Sequence, residues 1–101
     1  MSWYRLELTD EEIRIGRLNK IQNDFMKMWL TLDANNDTAL FHLRDANNNR
    51  DTLYIYSESK AHSEVFCRMF SAVSCDAPDF AELVPMVSGE RLIERLSATR
   101  S

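Results

Sequence analysis

Glycine, proline and cysteine each occur only twice in 101 residues, and those shortages exclude a good deal. Gly16 and Gly89 are too far apart to form a Gly-rich phosphate loop. Two cysteines make no disulfide framework. Cys67 and Cys75 have no CxxC or histidine spacing around them, so no metal site and no cofactor is expected. Basic runs are missing as well: 12 Lys and Arg stand against 16 Asp and Glu, a formal charge of −4. That balance does not favour non-specific attraction to nucleic acid. The longest apolar runs, 28–30 and 83–87, are far too short to cross a bilayer. Met1 to Arg5 carries neither a basic leader nor an apolar block. These absences leave the expectation of one reduced, cytoplasmic, soluble domain over residues 1–101.

What is present is a hydrophobic content of 45%, too high for disorder at so small a net charge. Residues 3–8 alternate as a strand, with Tyr4, Leu6 and Leu8 on one face. Thr9 and Glu12 then have capping-box spacing, and Leu8 with Ile13 completes a hydrophobic staple. The helix they open is expected to run to about Leu32 on a stripe of Ile15, Leu18, Ile21, Phe25, Met28 and Leu32. Met26, Trp29 and Leu30 lie off that stripe and mark a candidate interface.

Two strands follow, 38–44 and 52–57, joined by a polar loop. Taking Phe41, Leu43, Leu53 and Ile55 as the core side puts Leu40, His42, Arg44, Tyr54 and Tyr56 on the other face. A second helix from Ser57 or Ser59 carries Val65, Phe66, Met69, Phe70 and Val73 and ends before Pro78. The stretch 78–87 reads either as a short helix behind Pro78 or as a strand, which Pro85 would confine to an edge. Ser88 is expected to cap a last helix to about Leu96, with a frayed tail beyond it. The order β-α-β-β-α-β-α implies an α+β fold. Its first six elements follow the ferredoxin-like βαββαβ plan, an antiparallel sheet with two helices on one face, to which a short C-terminal helix is added.

Most chemical motifs fail on inspection. Asp33-Ala-Asn-Asn recurs at 45–48, and Asp33, Asn35 and Asp37 have the spacing of early EF-hand ligands. Thr38 and Arg44, however, stand where that loop needs Gly and a bidentate Glu, so turn chemistry is the better account. Cys67 is expected to act as a small hydrophobe on its helix, and Cys75, past the helix end, is the better redox candidate. His62, with Glu58 four residues earlier, reads as a solvated pair.

The strongest constellation is the sheet face of Trp3, Arg5, Glu7, Leu40, His42, Arg44, Tyr54 and Tyr56. Three aromatics and two arginines on one open face suggest an interface. The leading expectation is a non-catalytic interaction or regulatory module that forms a homodimer through this face. The alternative is a small-molecule site or enzyme on the same face. There His42 would be the acid/base, Tyr54 or Tyr56 a donor, and Arg5 or Arg44 an anion clamp. Stacking of single-stranded RNA on the aromatics is disfavoured by the acidic charge.

Overall fold

The computed structural model describes residues 2–45 and 50–98. Part of the second Asp-Ala-Asn-Asn copy and the last three residues of the tail lie outside them. The described residues form strands β1 (Ser2–Leu8), β2 (Thr38–Asp45), β3 (Arg50–Ser57), β4 (Val73–Cys75) and β5 (Val84–Val87). Between and after these come helices α1 (Asp10–Arg14), α2 (Arg17–Thr31), α3 (Lys60–Phe70) and α4 (Glu90–Ala98), with a 3-10 turn at Phe80–Glu82. The fold is α+β. All strand pairings are antiparallel, in the order β4-β1-β3-β2-β5.

The expected four-strand sheet is therefore corrected to five. The fourth strand is Val73–Cys75, and the Pro85 segment is an additional edge strand beside β2. Both halves of the 78–87 ambiguity are realised. Asp79 caps the 3-10 turn by accepting from the Ala81 N–H at 3.1 Å, and the strand begins two residues after that turn. Val73 does not belong to the second helix, because α3 stops at Phe70 and Ser71 turns left-handed at φ 56°. A serine in that conformation carries no glycine signal, so the stop was hard to read.

The first helix also breaks where continuity was expected. Its N-terminus has the capping box, with the Thr9 hydroxyl accepting from Glu12 N–H and the Glu12 carboxylate accepting from Thr9 N–H. Gly16 then adopts φ 85°, dividing the segment into α1 and α2. The kink swings Ile15 out of the stripe, leaving it 76% exposed. Beyond it, Ile21, Phe25 and Trp29 recur every four residues and are buried.

Helices α2 and α3 cover one face of the sheet. Phe25 stacks on Phe66 with centroids 4.3 Å apart, over Leu40, Leu53 and Ile55. Trp29 is buried in this core and its indole N–H donates to the Thr38 carbonyl at 2.7 Å. Met26 packs partly against the same core, so of the second candidate interface only Leu30, 65% exposed, stays outside.

The opposite face is not open as expected. Helix α4 lays Leu92, Ile93 and Leu96 over it, and the 3-10 turn adds Phe80. Together with Leu83, which follows the turn, these side chains enclose Ala39, Phe41 and Tyr56 in a second, smaller core.

Candidate interaction face

Register decides which side chains share this second face. Residues directly opposite in an antiparallel pair point to the same side. One row runs Cys75, Trp3, Tyr56, Ala39, and the next runs Val73, Arg5, Tyr54, Phe41. Trp3 sits at the centre, with ring centroids 4.9 Å from Tyr56, 5.7 Å from Phe41 and 6.4 Å from Tyr54. Phe80 meets Phe41 edge-on at 5.5 Å.

The cover is uneven. Around Ala39, Phe41 and Tyr56 the face is covered, and all three are buried. Toward β1 and β4 the cover thins: Trp3 and Tyr54 are half-buried, Arg5 is exposed and Val73 is 58% exposed. Burial pushes the Tyr54 hydroxyl up, with Cys75 and Glu7 adding to the effect and Arg5 opposing it. Burial also pushes the Cys75 thiol up, Arg5 again opposing, which disfavours the reactive thiolate. Cys67 is raised by burial alone.

Tyr56 has a different neighbourhood. Its hydroxyl donates to the Glu58 carboxylate at 2.9 Å, and Arg95 of α4 holds the other Glu58 oxygen at 3.1 Å. Burial, then this hydrogen bond, push the phenol up to about 12. Arg95 also donates to the Asn36 carbonyl, tying α4 to the loop before β2.

Leu40, His42 and Arg44 require correction. They pair with Ile55, Leu53 and Asp51, so they lie on the α2/α3 side of the sheet and not beside Tyr54 and Tyr56. Leu40 is core. His42 Nε2 lies 2.6 Å from Asp51 Oδ1, and Arg44 Nη1 donates to Asp51 Oδ2 at 2.9 Å. This places a buried carboxylate, Asp51, between a histidine and an arginine. The acid/base, donor and clamp of the enzyme alternative are therefore not brought together.

The parity of the hairpin turns Phe41 and Leu43 to the face opposite Leu53 and Ile55. Partner numbers in this hairpin sum to 95, so odd residues of β2 face even residues of β3. Leu40 and Phe41 are both fully buried because both sheet faces are covered. A strand buried on both sides loses the polar-apolar alternation that would reveal its register.

Other residues gain roles that sequence reasoning missed. His62 is not part of a solvated pair, since its Nδ1 lies 2.9 Å from the Asp37 carboxylate. The same Asp37 oxygen accepts from the Thr38 hydroxyl at 2.6 Å, and that hydroxyl lies 2.9 Å from Ser57 Oγ. Asp37 thus joins the starts of β2 and α3. Asp33 takes the left-handed conformation that turn chemistry allows it.

No protein-family model, curated protein or solved structure matches the chain.

Proposed function

We propose that this chain is a non-catalytic interaction module that pairs with a second copy through the uncovered β4–β1 part of its second sheet face. The carrying observation is Val73, 58% exposed, in one row with exposed Arg5 and half-buried Tyr54 and beside half-buried Trp3. Exposed apolar patches mark interaction sites, and aromatic residues and Arg are enriched at interface cores. Helix α4 already uses the rest of the face, so the docking area is smaller than the full sheet. The ferredoxin-like reading draws support from the order β4-β1-β3-β2 within the sheet, with β5 as an addition. A cytoplasmic setting draws support from two half-buried cysteines that are not joined.

Light scattering at micromolar concentration tests the assembly. The wild type is expected to be dimeric, and Val73→Lys and Arg5→Glu are each expected to shift it to monomer without lowering the melting temperature appreciably. A monomeric wild type, or a dimer indifferent to both changes, overturns the reading.

A further inference from the structure

Strand β4 begins at Val73, opposite Arg5, so β1 runs on past its neighbour from Leu6 onward. A cavity of about 400 Å³ opens in that gap, between the sheet margin, the α1–α2 kink and the C-terminal end of α3. Its walls carry two cations, Arg5 and Arg17, and two carboxylates, Glu7 and Glu12. Leu6, Phe70 and Val73 supply apolar wall, and Ser71 a hydroxyl.

Arg17 is the group that points to a ligand. Its Nε is shielded from solvent and has no hydrogen-bond partner. The nearest carboxylate oxygen, Glu12 Oε2, is 4.0 Å away, too far for a hydrogen bond. Glu12 cannot swing over freely, because its Oε1 accepts from the Thr9 N–H at 3.1 Å and the Thr9 hydroxyl at 3.2 Å. The Arg17 side chain as a whole is 42% exposed and lines the cavity, so its guanidinium is within reach of a ligand there, and a guanidinium donates best to a carboxylate, two N–H groups to two oxygens.

The remaining charges narrow the class. Glu7 and Glu12 repel a phosphate dianion, while Arg5 and Arg17 repel a simple amine. A ligand carrying one charge of each sign meets neither penalty. Glu7 is held by Arg50 only loosely, at 3.6 Å, so it can receive an ammonium group. We propose that this cavity binds a free α-amino acid with an apolar side chain. Its carboxylate lies on Arg17, its ammonium group on Glu7, and its side chain against Leu6, Phe70 and Val73. Arg5 and Val73 belong both to this cavity and to the proposed pairing face, so ligand and second copy are expected to compete there.

Isothermal titration of the full chain with L-phenylalanine and L-leucine tests this. Both are expected to bind. 3-Phenylpropionate lacks the ammonium group and phenethylamine lacks the carboxylate, and each is expected to bind at least about tenfold more weakly. Arg17→Gln, with folding checked by its melting temperature, is expected to lose a similar factor. Arg17→Lys should not restore it, because a point charge cannot supply the fork. Glu7→Gln tests the ammonium side and is expected to narrow the gap between phenylalanine and 3-phenylpropionate. The proposal is overturned by absence of binding of both amino acids to folded wild type. It is equally overturned if inorganic phosphate or 3-phenylpropionate binds as tightly as phenylalanine, or if folded Arg17→Gln retains full affinity.

Discussion

Single atoms decide several features of this chain. A Cβ placed on Gly89 would stand 2.0 Å from the Asn35 carbonyl oxygen, far inside any tolerable contact. Gly89 directly precedes α4 and accepts from the Ile93 N–H, so the glycine lets the last helix seat against the loop before β2. The expected cap at Ser88 is corrected to Gly89, the residue directly before Glu90, and only Asn35 shows why a glycine is needed there. Gly89→Ala should force backbone apart and destabilise the fold by roughly 1–3 kcal/mol, the usual cost of overpacking. Urea unfolding measures it, and a neutral result would mean that α4 is not held this closely.

At the scale of elements, β2 is the informative strand. A sheet with one solvated face would make one of two adjacent β2 residues cheap to truncate. Here Leu40 sits in the α2/α3 core and Phe41 in the α4 core, both fully buried. Leu40→Ala should cost roughly 2–5 kcal/mol and Phe41→Ala roughly 3–5 kcal/mol. Denaturant midpoints check the pair, and a small loss at Phe41 would show that α4 does not cover the sheet. Capping chemistry, by contrast, is local and legible: Thr9 and Glu12, three residues apart, form the box their spacing implies, and Leu8 and Ile13 join one apolar cluster. Strand β4 leaves no signal in the sequence, because three residues are too few to show alternation.

For the whole molecule, two cores share one sheet, and alkali should expose the dependence of the smaller one on Tyr56. Its phenol is raised from 10.0 to about 12 by burial and then by Glu58, so the fold favours the neutral form. Stability linked to this group is complete below about pH 10 and is lost as pH rises through about 12. Burial raises Tyr54, Cys67 and Cys75 in the same direction, so they add to the alkaline loss. Melting temperature followed from neutral pH into that range should fall less steeply for Tyr56→Phe than for wild type. Parallel curves would count against the Tyr56–Glu58 bond as a stability determinant.

The sequence alone determined the α+β class, the first capping box, the hairpin, the restriction of any strand through Pro85 to an edge and the core stripe Ile21–Phe25. It also placed Trp3, Arg5 and Tyr54 correctly on one sheet face. Each of these follows from neighbours within about one helical turn or from alternation along a single strand. Only the tertiary structure decided that α4 closes most of the second face and that β2 pairs with odd parity. It alone brought Asp51 between His42 and Arg44, and the α1–α2 kink against the bare margin of β1. Those contacts join residues far apart in the chain, where spacing carries no signal, and two-sided burial erased the alternation that would have revealed the register.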